Sequence, residues 1–141
     1  MKTCKPTHIL MKRIIISLIV VLTTALSGHA TKLQTTHCCI YRCQPPSEGF
    51  VTTGSAITSK SSSDVLNLDF SSKKMGWKDS KGSSTVGMYN ISTNGDTTTF
   101  NTVYNYVQAT KDGSVWYVDI IYRNGNEWYM IKYTCKEKRI V

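Results

Sequence analysis

The chain has 141 residues, 40% hydrophobic and 18% charged, with 17 Lys and Arg against 9 Asp and Glu for a formal charge of +8. That length fits one small domain around one core, and nothing in the sequence suggests two. Four of the cations (Lys2, Lys5, Lys12 and Arg13) precede an apolar run over residues 14–26, and without residues 1–30 the charge falls to +4. A charge of that size is ordinary for a soluble domain, so a nucleic-acid partner is not expected.

The first 30 residues read as a secretory signal peptide. A basic start is followed by an apolar stretch of 13 residues and by Ser27-Gly28-His29-Ala30, whose small residues suit cleavage after Ala30. The run falls short of the roughly 20 residues that span a bilayer, and no Cys follows it at lipoprotein spacing. Met11 before Lys12-Arg13 offers a second start. The expected product is a secreted or periplasmic chain without a stable membrane span. It is organised as a Cys-rich segment (31–48), an antiparallel β-domain (49–135) and a basic tail (136–141).

Four cysteines follow the signal: Cys38, Cys39, Cys43 and Cys135. An even number in an exported chain implies disulfides. A bond between the adjacent Cys38 and Cys39 needs a strained backbone, so one of them is expected to close a short loop with Cys43 and the other to bridge to Cys135. His37, Cys38, Cys39 and Cys43 also offer metal-ligand atoms, but the spacing lacks a paired Cys-x-x-Cys, so no metal or other cofactor is assigned. A Cys-His nucleophile has no supporting motif around His37.

Residues 47–64 are rich in Ser, Thr and Gly, with a weak strand over 50–57. Residues 65–70 alternate, with Leu66, Leu68 and Phe70 facing one way, and read as a half-buried strand. A short strand over 75–78 carries Trp77 among Lys73, Lys74, Lys78 and Lys81. Those lysines read first as a solvated turn and second as an anion contact. Neither a P-loop nor the companion motifs of Ser71-x-x-Lys74 are present. A strand over 86–91 contains the glycosylation sequon Asn90-Ile91-Ser92.

The strongest signal is a meander over residues 97–135, with strands at 98–109, 114–123 and 127–135. Asp112-Gly113 and Asn124-Gly125 supply the loops, and Asn94-Gly95 the loop before them. Taken as two-residue loops, these dipeptides place Ile120 opposite Tyr129, Val118 opposite Ile131 and Trp116 opposite Tyr133. They also set Val107 opposite Val118, Ala109 opposite Trp116 and Val103 opposite Tyr122. All of these share the core face. The other face is expected to carry the rows Tyr104–Ile121–Trp128, Tyr106–Asp119–Met130 and Gln108–Tyr117–Lys132. Such a face is either covered by the 50–70 strands or offered to a partner.

The fold expected is all-β, a single small antiparallel meander closing into a barrel or sandwich and stapled by disulfides. The general pattern resembles small exported lipocalin-like domains, and no residue role is carried over from them. Eight of the fourteen aromatics lie between Tyr104 and Tyr133. The hypothetical binding residues are therefore Tyr104, Tyr106, Tyr117, Ile121, Trp128 and Met130, with a small apolar ligand, a glycan or a protein as partner. No catalytic residue is assigned, because Asp69, Asp79, Asp119 and Glu127 are scattered and form no acid/base pair. A non-enzymatic binding module is the first reading. A structural, adhesive or inhibitory protein comes second and a small exported enzyme third.

Overall fold

The computed structural model describes residues 30–138, so the expected signal peptide up to His29 and the end of the basic tail lie outside the described residues. Ten strands follow in order: β1 (Thr31–Cys43), β2 (Thr52–Ser61), β3 (Val65–Asp69), β4 (Lys74–Asp79), β5 (Gly82–Gly87), β6 (Tyr89–Asn94), β7 (Thr97–Asn101), β8 (Tyr106–Asp112), β9 (Val115–Asn124) and β10 (Glu127–Glu137). A 3-10 turn (Pro46–Glu48) links β1 to β2. All pairings are antiparallel in the order β5-β4-β3-β1-β10-β9-β8-β7-β6, with β2 paired to β1 beside β3.

The sheet curls round on itself. Because every pair is antiparallel, the two ends of the path, β5 and β6, run in the same direction, and Met88 alone separates them in the chain. A strand that starts against β4 therefore finishes against β7, and the covalent chain joins the two ends. The edge-to-face contact of Phe70 with Phe100, 5.9 Å between centroids, links the end of β3 to β7 across the interior. Every strand except β2 sends side chains into one core, from Leu33, Leu66 and Leu68 through Met75 and Phe100 to Val107, Val118 and Ile120. These side chains form one core on the concave face of a curled half-barrel sheet.

The local chemistry of the turns decides the register. The closing pairs are Asn94–Thr97, Asp112–Val115 and Asn124–Glu127. Gly95, Gly113 and Gly125 thus take the first central position, each at a φ of 62–65°. Glycine first is the arrangement of a type II′ turn, whereas the dipeptides were read as loops with glycine second. All three hairpins slip by the same two residues. Ile131 faces Ile120, Tyr133 faces Val118, Val107 faces Ile120 and Ala109 faces Val118. A slip of two changes partners but keeps each side chain on its own face, so Val107, Ala109, Val118, Ile120 and Tyr133 are interior.

Three expectations about strands need correction. Residues 98–109 form a hairpin, β7–β8, and not one strand. Thr102 makes the bend without Gly or Pro: its hydroxyl accepts from the backbone N–H of Tyr104 (3.1 Å) and Asn105 (3.0 Å), and its own N–H donates to the Asn105 carbonyl. Val103, expected in the core, therefore stands at the tip, 73% exposed. The strand expected over 86–91 is divided at Met88, and Asn90, at φ 54°, bulges the β6 edge.

The disulfide framework also needs correction, since Cys38, Cys43 and Cys135 are free thiols and neither expected bridge is present. The reason is that the cysteine cluster lies on a strand. Alternation sends Cys38 into the core and Cys43 into a cluster on the outer face. Cys39 and Cys43, four residues apart, are separated by about 13 Å along an extended strand, far beyond disulfide reach. Cys38 faces Tyr133, while Cys135 faces Thr35 beyond a bulge, so this pair is offset as well.

Burial pushes the Cys43 thiol up to about 11 and the Cys135 thiol up to about 12. A raised folded pKa contributes stability that is whole below the ordinary thiol value of about 8.5 and is lost as pH climbs toward the folded value. The melting temperature should fall with rising pH above that point, and less steeply in Cys135→Ala. Parallel slopes in the two proteins would remove Cys135 from the explanation.

Candidate binding surface

Antiparallel pairing gathers one end of the curled sheet from several strands. The ends of β1, β7 and β9, the starts of β6, β8 and β10, and the 102–105 tip all lie there. At the rim, Tyr122 and Tyr129 stack at 5.6 Å, and the Tyr129 hydroxyl donates to Glu127 at 2.8 Å. Arg42 pairs with the same carboxylate at 3.2 Å. Both partners are largely exposed, so this pair orders the rim more than it stabilises the fold.

On the outer side of this end, Tyr106 meets Trp128 edge-on at 6.2 Å, and the Arg123 guanidinium lies 5.5 Å from the Trp128 ring centroid. Arg123 is steadied by donating from Nε to the Gly125 carbonyl at 3.0 Å. Tyr89, at the start of β6, donates its hydroxyl to the Thr102 carbonyl at 3.2 Å, bracing the tip from the other side. Val103 and Tyr104 project from this tip, with Tyr104 74% exposed and Tyr106 and Tyr89 also open to solvent.

The six sequence-selected residues divide into three groups. Tyr106, Ile121 and Met130 form one cross-strand row, and Trp128 packs beside it. Ile121 and Met130 are buried in a small outer cluster with Cys43, Phe50 and Trp128, so the segment between β1 and β2 covers that part of the face. Tyr104 is in no row, because it stands on the tip. Tyr117 pairs with Thr110 and Thr134 toward the opposite end, away from the others. Tyr89, Val103 and Arg123 complete the surface and were missed. Val103 was placed in the core and Tyr89 left aside because the Thr102 turn carries no Gly or Pro to announce it, and Arg123 joins only through its contact with Trp128.

Asp119 and Lys132, expected in separate rows, belong to one buried network with Gln108. Asp119 faces Gln108 and Lys132, receiving hydrogen bonds from Gln108 Nε2 at 3.3 Å and from Lys132 Nζ at 3.4 Å. Burial raises the Asp119 carboxyl above the usual carboxylate range, against the downward pull of Lys132 and Gln108. Among the described residues, no group of three or more His, Cys, Asp or Glu side chains is placed to hold a metal ion, and no helix is long and apolar enough to cross a membrane.

No protein-family model matches the chain, and no curated protein matches it. Among solved structures, the chain is similar to a tryptophan-to-alanine mutant of the vaccine antigen transferrin-binding protein B from Haemophilus parasuis Hp5. The identity is 12% and the TM-score 0.42, over 81% of this chain and 27% of that one. The chain therefore spans about a quarter of that protein's length.

Proposed function

We propose that the protein is an exported, non-enzymatic binding module that engages a protein partner through the aromatic end of its curled sheet. Residues 1–30 are its cleaved secretory signal, and its place of action is secreted or periplasmic. The observation that carries the reading is the exposure of Val103 and Tyr104 on a braced hairpin tip, next to Tyr106, Trp128 and Arg123. Exposed apolar groups gathered in one place mark an interaction surface. Tyr, Trp and Arg are also the residue types that dominate binding energy at protein interfaces. A protein partner is preferred to a small ligand because the exposed aromatics stand on the outside of the fold, at the tip and rim. Adhesive and inhibitory roles would both act through this surface.

The test is quantitative affinity capture from the exported fraction of the source cells, comparing the native chain with a Tyr104→Ser, Tyr106→Ser double variant. Tyr104 is 74% exposed and Tyr106 gives up only its edge-on contact with Trp128, so the variant should lose no more than about 0.5–1.5 kcal/mol of stability. A specific protein should be retained by the native chain and lost with the variant. Identical capture profiles, or a large fall in the variant's melting temperature, would refute the proposal.

A further inference from the structure

A second surface, on the β4–β5 hairpin, is independent of the aromatic end. It is an open groove of about 360 Å³ lined by Trp77, Asp79, Lys81, Gly82, Ser83 and Ser84. Trp77 faces Ser84 across the hairpin, Asp79 faces Gly82, and the pair Met75–Val86 lies two residues nearer the core. The hairpin face thus passes from a buried apolar row to an aromatic ring beside a hydroxyl, and then to a carboxylate beside an open glycine. Nothing lies within 4 Å of where a Cβ on Gly82 would be.

The Trp77 ring is held edge-on against Tyr133 at 6.1 Å, and the Tyr133 hydroxyl is itself anchored on Asp64 at 2.6 Å. Its indole N–H is buried and has no hydrogen-bond partner, although the residue as a whole is only partly buried. The part of Trp77 that meets the groove is therefore carbon. Asp79 accepts from the Lys81 backbone N–H through Oδ1 at 2.8 Å, and that fixes the carboxylate at the rim.

The four lysines noted in the sequence do not form one cationic patch. Lys73 and Lys74 lie at the start of β4, Lys78 pairs with Ser83, and only Lys81 lines the groove. With Asp79 opposing it, the groove has no net charge, which suits a neutral ligand better than an anion. We propose that this groove binds a single neutral saccharide ring, with its C–H face on the Trp77 carbon surface. Its hydroxyls are met by the Asp79 carboxylate, the Lys81 ammonium and the hydroxyl of Ser84, which shares the Trp77 face. An apolar face with a few polar groups of both donor and acceptor type is what such a ring requires, and the volume lies at the small end of ligand sites.

Saturation-transfer NMR on the native chain tests this, using the methyl glycosides of glucose, galactose, mannose and N-acetylglucosamine in turn, with glycerol and inorganic phosphate as controls. The expected result is saturable transfer to the ring protons of at least one glycoside and none to glycerol. Asp79→Ala should weaken it about tenfold, and Ser84→Leu, at an exposed strand position, should abolish it with the melting temperature unchanged. No saturable transfer from any glycoside would overturn the proposal, as would transfer that survives Ser84→Leu. Phosphate displacing the glycoside, or binding in its place, would identify an anion site and overturn it too.

Discussion

Replacing Asp119 with leucine should destabilise the domain by about 3–5 kcal/mol, because it leaves the Lys132 ammonium buried without its partner. The two side chains retain only 8% and 11% of their accessible surface and stand 3.4 Å apart, so water cannot substitute for the lost carboxylate. From the sequence alone, Asp119 lies off the core face and leucine would be expected to be tolerated or mildly stabilising there. Removing both charges should restore most of the loss, since a buried ion pair is often no better than an apolar pair of similar volume. Urea denaturation of Asp119→Leu, Lys132→Met and the double variant gives the coupling directly. If the single variant unfolds at the native midpoint, the network contributes nothing.

Val118→Asp should prevent folding altogether. Val118 is fully buried between Ala109 and Tyr133 on the inner face, with no cation opposite it in the sheet. A carboxylate there must be desolvated without a partner or protonated at a steep cost. The loss rivals the whole stability of a domain of this size, about 5–15 kcal/mol. The expected spectrum is that of an unfolded chain, and a cooperative melt near the native temperature would contradict the facial assignment. A milder replacement, Val118→Ala, should fold with a stability lower by about 1–3 kcal/mol.

The neighbouring positions 118 and 119 show where sequence reading reaches its limit. Period-two alternation placed Val118 inside and Asp119 outside, and the structure agrees about the faces. Alternation says nothing about what covers the outer face. Gln108 and Lys132 meet Asp119 only because the hairpins slipped by two residues, a consequence of glycine taking the first turn position. The strand bearing Leu66 and Leu68 was legible because its pattern is long enough to show alternation. The β7–β8 bend was not, because a threonine hydroxyl does there what Gly or Pro does elsewhere. The cysteine cluster was misread for a related reason: its spacing was taken as that of a loop, while Thr31–Cys43 forms a strand paired along both edges.

The candidate surface was legible in part. Tyr106 and Trp128 were selected from face and composition, and they lie in contact with each other and, through Trp128, with Arg123. Tyr104 was selected as a member of a sheet row, and it lies instead on an exposed tip between β7 and β8. Ile121 and Met130 were placed on the face expected to be either covered by the 50–70 strands or offered to a partner, and Phe50 and Trp128 pack over them. That cover comes from the segment between β1 and β2, whose Ser-rich and Pro-containing sequence carries no periodic signal of where it docks.

Site-specific photo-crosslinking in the source cells tests the proposed function most directly. A photoreactive residue at position 104, on the aromatic tip, is compared with one at position 114, in the turn between β8 and β9 at the far end of the curled sheet. The binding-module account predicts a discrete protein adduct from position 104 and none from position 114. Equal adducts from the two positions, or an adduct from position 114 alone, would contradict it.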